Sequence, residues 1–484
     1  MSNRQFFILL LLGTFLIIPK FLAAQSPDPN KIVLAAAATG NLKMLEKALL
    51  YGGKLETQDE HGNTPLILAA QFDQSTSIRY LLEKGAKASA SNHKGFQALH
   101  SAAAKGNRAM VSLLIAKGAD PNARGAEDYT PLLMAASSGQ DKVCALLIAK
   151  GAKLQAKSKN GLTALHGAAQ YGHVPVIELL LSKGADIEAK SQKKTTPLHG
   201  AIGQGKQAAV ECLVDKGADI EAIAGGGNRA IHLACMKNHK KIISFLLSKG
   251  AKVNVSNSDG VTPLHVAVDA NDEEIINILT TNGAAVNAVN KKTNRTPLLY
   301  AILRGYIDPI NALLKAGAGP TFSPDGKVTP LSVAQWKKDA QIIEIIKKAA
   351  FAVTKQENAA LFLKAASEGD VATLKKLMKE GVEPDCVNKD GKTALFLAIE
   401  ALKGKAISFL VKKGSDVNKK SKEGVAPLHI AVKAKQRRIV AFLVKKGADV
   451  NAVSDNTGKS VLDLARESND SKLLKWLKSR GATR

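Results

Sequence analysis

The apolar positions of this chain fall into one short pattern that recurs along nearly its whole length. A Leu/Ala-rich segment, such as LHGAA at 165–169, carries its apolar side chains at helical spacing. Gly172 ends it, and a second apolar segment, VIELLL at 176–181, again has the period of a helix. Gly184 closes that one, and the polar stretch ADIEAKSQKK at 185–194 leads to the next apolar segment. The patterning predicts pairs of short helices separated by a polar turn or hairpin.

The frame is fixed by a tripeptide close to Thr-Pro-Leu. It starts at Thr64, Gln97, Thr130, Thr163, Thr196, Arg229 and Thr262, each 33 residues after the last. It resumes at Thr296, Thr329, Thr393, Ala426 and Ser460, with steps of 34, 33, 64, 33 and 34. The step of 64 hides one further repeat, marked by Ala360. Counting back from Thr64, IVLAAAATGN fits the same frame. Fourteen repeats therefore run from about residue 31 onward.

Each residue of the frame has a physical reason. Thr64, Thr130, Thr163 and Thr196 suit the N-cap, where a hydroxyl accepts from a free N–H of the first turn. Pro65, Pro131, Pro197, Pro263, Pro297 and Pro330 follow at the first helical position, where a missing N–H costs nothing. Gly40, Gly106, Gly139 and Gly172 end first helices. Thirteen of the fourteen second helices close on a glycine at one offset, from Gly52 to Gly481. That offset is the left-handed C′ position, which glycine occupies without a Cβ penalty.

These features resemble the ankyrin repeat. TPLHGAIGQG at 196–205 and TPLHVAV at 262–268 carry the likeness, and TALHGAAQYGHVPVIELLLSKGADIEAKS at 163–191 is a nearly complete repeat. The resemblance implies an all-α repeat solenoid: helix–turn–helix units with projecting β-hairpin loops. It also implies function by protein binding through the hairpin tips and the concave face of the first helices, without catalysis.

The frame breaks once. The tenth repeat starts well (TPLSVAQWKK, 329–338) but ends IIEIIKKAAFAVTKQEN, with Ala350 in place of the closing glycine. ALFLKAASEGD at 360–370 then resembles the first repeat. The expected organisation is repeats 1–10 over 30–350, an irregular junction at 351–359, and repeats 11–14 over 360–484. One continuous solenoid and two arrays of ten and four are both open.

Composition changes this picture little, and charge adds to it. The hydrophobic fraction of 45% and charged fraction of 23% are ordinary for a folded chain, and four Cys exclude a disulfide scaffold. The low aromatic content of 4% fits many thin cores. The net charge of +26 is uneven: residues 347–484 hold 29 Lys+Arg against 15 Asp+Glu. An acidic partner follows as an expectation.

Residues 1–24, MSNRQFFILLLLGTFLIIPKFLAA, read as a secretory signal peptide: a basic Arg4, an apolar run from Phe6 to Ile18, then small residues. That predicts export, to a periplasm or out of the cell, with no membrane span after cleavage. The alternative is an uncleaved N-terminal segment that anchors the chain to a membrane. Asn254-Val-Ser and Asn294-Arg-Thr match glycosylation acceptors. A glycan at Asn294 would crowd the N-cap at Thr296, which favours a bacterial route, including a factor directed at a host.

Catalytic chemistry is not legible. His100, His166, His199, His232, His265 and His429 occupy the fourth place of the first-helix motif, where the family uses the imidazole to tie neighbouring repeats. His173 and His239 follow the inter-helix turn, and His61 and His93 fall in hairpin tips. Cys144, Cys212 and Cys235 sit at helix positions that read as core; a Cys212–Cys235 bridge is open. Gly391-Lys392-Thr393 and Gly458-Lys459-Ser460 mimic the end of a phosphate-binding loop, but its first glycine is replaced by Cys386 and Val453. No catalytic, cofactor or metal residue is assigned.

Two features mark a partner surface. One is a Lys row just before the closing glycine, including Lys117, Lys150 and Lys183; a cation there also favours the helix dipole. The other is a set of aromatics at groove offsets, expected to be exposed: Phe72, Phe96, Tyr129 and Tyr171, with Trp336 farther on and Lys105 beside them. Trp476 sits at a core Leu offset and reads as packing. The expected partner of this monomer is a protein with an acidic surface. The alternative is a polyanion, such as nucleic acid, on the basic C-terminal repeats; few Arg and few aromatics there make nucleic acid the weaker reading.

Overall fold

A computed structural model describes residues 28–483. The leader expected at 1–24 lies outside the described residues. Within them the chain forms 27 α-helices, two three-residue 3-10 turns and four isolated β-bridges, with no strand. It divides into two compact units after Lys337.

In the N-terminal unit the helices come in pairs, such as Pro65–Gln71 with Ser75–Glu83, and Ala164–Tyr171 with Val174–Ser182. First helices pack on neighbouring first helices and second helices on second. The caps form as the residue types require. The Thr64 hydroxyl accepts the Ile67 N–H at 3.3 Å, and Thr130 does the same for Leu133. Leu66, Leu99, Leu132 and Leu165 of the first helices and Leu81, Leu114, Leu147 and Leu180 of the second are at most 1% exposed. Each such burial contributes about 1.5–3 kcal/mol. The second helices end on glycines in the left-handed region. At Gly184 φ is +86° and an added Cβ would meet nothing within 4 Å, so the backbone angle, not space, selects glycine.

The polar stretches are tight hairpin turns: the Asn92 N–H donates to Phe96 O and the Ser158 N–H to Leu162 O, both at 2.9 Å, and some loops add an isolated bridge such as Ser91 to Gln97. What orders them is pairing between repeats. The Lys159 N–H donates to Glu127 O (2.7 Å), Gln192 N–H to Asn160 O (2.9 Å), and Gly225 N–H to Lys193 O (2.9 Å). Successive loop tips are thus joined by main-chain hydrogen bonds.

The C-terminal unit opens on one helix of 29 residues, Ala340–Glu368, capped by Gly369 at φ +83°. The irregular junction expected at 351–359 is therefore corrected: these residues are helix. The reason is in the sequence, since 340–368 holds neither glycine nor proline, and nothing there stops helix propagation. At 1.5 Å per residue the helix is about 44 Å long. The core of this unit gathers Phe362, Leu374, Leu395, Leu410 and Leu443, all buried. Phe396, also buried, takes the place that histidine holds in other repeats.

Candidate functional site

The imidazoles are the first candidates for chemistry, and they are structural. His166 Nδ1 accepts the Thr163 N–H (3.2 Å), and its Nε2–H donates to Thr195 O one repeat on (3.0 Å). His100 accepts from the Gln97 N–H and donates to both Ala123 O and Tyr129 O, each at 3.1 Å. His232 and His265 reach Val261 O and Arg295 O in the same way. Burial holds their pKa values below the ordinary 6.5, for His100 down to about 4. A ring that is neutral, buried and engaged at both nitrogens is poorly placed to move protons.

The thiols are equally withdrawn. All four cysteines are free, so the Cys212–Cys235 bridge is not formed. Burial pushes Cys144 and Cys235 up to about 12, far from thiolate chemistry. Among the described residues no group of His, Cys, Asp and Glu is arranged to hold a metal ion.

The surface residues remain. Phe72 ends a first helix and is 44% exposed; Trp336, near the end of Pro330–Lys337, is 74% exposed. Phe96, Tyr129 and Tyr171 correct the expectation of full exposure: all three are half-buried. Phe96 packs edge-on against His100, ring centroids 5.3 Å apart, because the imidazole below offers it an apolar contact. Tyr171 lies along His173 with centroids 6.4 Å apart. Tyr129 and Tyr171, 42 residues apart in sequence, are near enough that burial first and then the Tyr129 hydroxyl raise the pKa of Tyr171. Lys105, Lys117, Lys150 and Lys183 are exposed.

These residues do not form one patch. Lys117, Lys150 and Lys183 are C-caps of second helices. Phe72, Lys105 and Tyr171 stand at the ends of first helices, and Phe96 and Tyr129 in the loops before them. The sequence reading missed a second lysine group. Lys157, Lys159, Lys190, Lys193 and Lys194 crowd two consecutive loop tips, all exposed and, among the described residues, in no ion pair. The tips are locked together, with the Gln192 side chain donating to Lys159 O at 2.6 Å. The first helix Pro197–Gly203 carries Gly200 and Gly203 at open positions, whereas Gly167 of the preceding repeat is packed against Ser137. KSKNG and KSQKK, 33 residues apart, were the available signal. Trp476 is half-buried: one side packs against the core of the C-terminal unit, as its offset predicts, and it also lines an open cleft.

Stacked helix pairs joined by buried imidazoles, with a row of loop tips between them, define a helical repeat protein. The family model described as ankyrin repeats in three copies matches residues 32–125, 122–191, 198–290, 264–357 and 361–454, so the chain belongs to the ankyrin repeat family. Among solved structures, the ankyrin repeat domain of human ASB11 is 26% identical, with a TM-score of 0.42, over 46% of this chain and 98% of that one. No curated protein matches the chain. No helix among the described residues is long and apolar enough to cross a membrane.

Proposed function

We propose that this chain is an exported, monomeric, non-catalytic adaptor of fourteen repeats that binds an acidic protein surface. The binding face comprises the open sides of the first helices and the loop tips. Export rests on the signal-like 1–24 segment. The observation that carries the binding reading is the presence, on adjoining repeats, of the Tyr129–Tyr171 pair, the open Gly200 and Gly203, and five tip lysines without an ion-pair partner among the described residues. Amphipathic aromatics beside cations are what interface hot spots use.

The test is capture of partners by the chain lacking 1–24, from the fluid into which it is exported. Tyr129→Ala with Phe72→Ala should abolish capture while helical circular dichroism is unchanged. Lys190→Glu with Lys193→Glu should do the same by repulsion. Capture that survives both double variants would falsify this face. A polyanion reader would instead lose affinity steeply as salt is raised, whatever its sequence.

A further inference from the structure

A second surface lies on second helices of the C-terminal unit. Helices Arg437–Lys445 and Ser471–Ser479 leave an open cleft of about 330 Å³ between them. Arg437, Arg438 and Ala441 line it from one side, Lys472, Leu473 and Trp476 from the other. We propose that this cleft binds a phosphate carried on an aromatic ring.

Three features support the assignment. First, one wall is fixed. The Arg437 guanidinium grips Asp470 with two bonds, Nε to Oδ2 at 2.8 Å and Nη2 to Oδ1 at 2.5 Å, and Asp470 also caps its own helix through the Leu473 N–H. Among the described residues, the only carboxylate paired with a lining residue is therefore already committed. Second, the remaining charge is unanswered. Arg438 and Lys472 are exposed and make no ion pair or side-chain hydrogen bond among the described residues. Arg480 adds a further cation, 5.4 Å from the Trp476 ring centroid. Like charges held this close repel one another until an anion enters. Third, the floor is apolar. Leu473 is buried, Ala441 leaves room, and the half-buried Trp476 presents an indole edge and face.

A guanidinium fork matches phosphate oxygens in pairs, and an indole ring stacks on a planar partner. A bare, hydrated phosphate would leave the apolar floor unused. A nucleic-acid strand would need successive stacking platforms, and this cleft offers one. A single ring bearing a phosphate uses both halves. Phosphotyrosine carries its phosphate on the ring itself and a mononucleotide through its ribose, so each offers one stacking ring with one phosphate.

The chain has two tryptophans, so Trp336→Phe makes Trp476 the sole fluorescent reporter. Full-length Trp336→Phe protein would be titrated with phenyl phosphate, phosphotyrosine, AMP, inorganic phosphate and phenol. Expected is a saturable change for phenyl phosphate below about 1 mM. Inorganic phosphate and phenol should each be weaker by about tenfold or more. Adding Arg438→Ala with Lys472→Ala should weaken phenyl phosphate about tenfold with the circular dichroism retained. Tighter binding of phosphotyrosine than AMP marks a protein-borne source, and the reverse a nucleotide. No saturable change with any of the ring-bearing phosphates, equal affinity for inorganic and phenyl phosphate, or unaltered binding by the double variant would overturn the proposal.

Discussion

The fourth place of the first helix is occupied differently in the two units. In the N-terminal unit five repeats hold His100, His166, His199, His232 and His265 there, all at most 4% exposed, and others hold Ile67, Leu133, Leu299 and Ser332. In the C-terminal unit the same place holds Phe396, His429 and Asp463. Phe396 is buried like the histidines but can only pack. Asp463 turns back on its own cap, accepting from the Ser460 N–H (2.9 Å) and hydroxyl (2.6 Å). One position of one repeat thus joins neighbours by buried polar bridges at His100, His166, His232 and His265 of the N-terminal unit, and fills space at Phe396 or closes a local cap at Asp463 in the other. The backbone pattern survives either choice, because cap, helix and closing glycine do not depend on that side chain. The response to perturbation should not survive it.

The largest effect is expected where packing alone carries the load. Phe362→Ala should destabilise the C-terminal unit by about 3–5 kcal/mol, as an aromatic core truncation does. Hydrogen exchange in urea should show protection lost first across 362–482. If amides there keep their protection, the phenylalanine core is not what sustains this unit.

Acid should strike the other unit first. Burial holds the histidine pKa values below 6.5, so the unfolded chain takes up protons before the folded one. Their contribution is complete above pH about 6.5 and is lost as the pH falls toward the folded values. For His100, from 6.5 to about 4, that loss amounts to about 3 kcal/mol. In the C-terminal unit His429 alone shares this window. The carboxyls of Asp463 and Asp470 are held low by hydrogen bonds from Ser460 and Arg437, and their contribution is lost only at still lower pH. Exchange at pH 4.5 against pH 7 should therefore rise more in 98–300 than in 394–482. A uniform rise would remove the distinction.

A smaller step isolates one bridge. His232→Leu removes the bonds to Arg229 N–H and Val261 O and should cost about 1–3 kcal/mol. The variant should also flatten the pH dependence of melting, which simple loss of volume would not do. Smallest and equal in both units should be Gly184→Ala and Gly447→Ala. Each glycine has a positive φ and open space around it, so the cost is about 1 kcal/mol of backbone strain. Unequal costs would show that the two units differ in more than their fourth residue.

Much of this is legible in the sequence. Period, caps, closing glycines and imidazole bridges all follow from residue type at fixed spacing, and local chemistry decides them. The long helix was misread at Ala350, where the missing glycine looked like disorder of the pattern. Physically, removing the left-handed stop extends a helix unless another breaker follows, and none does. The surface was less legible. Phe96 was read as exposed because its neighbour His100 was not counted as a surface to pack on. The grip of Arg437 on Asp470 and the approach of Tyr129 to Tyr171 join residues more than 30 apart. Only the stacking of repeats brings them together.

The hydrogen bonds between loop tips carry a consequence for how such a chain can change over generations. Each tip asks of its neighbour only a main-chain carbonyl in the right place, such as Asn160 O for Gln192, and any repeat in frame supplies one. A gene segment coding 33 residues could be copied in tandem, and both new boundaries would meet familiar partners. A copy in the middle of the N-terminal unit leaves every existing cap intact. The same copy cut through 340–368 would have to splice a helix in mid-turn. Inheritance can therefore lengthen this protein more freely before Lys337 than across the continuous helix that follows.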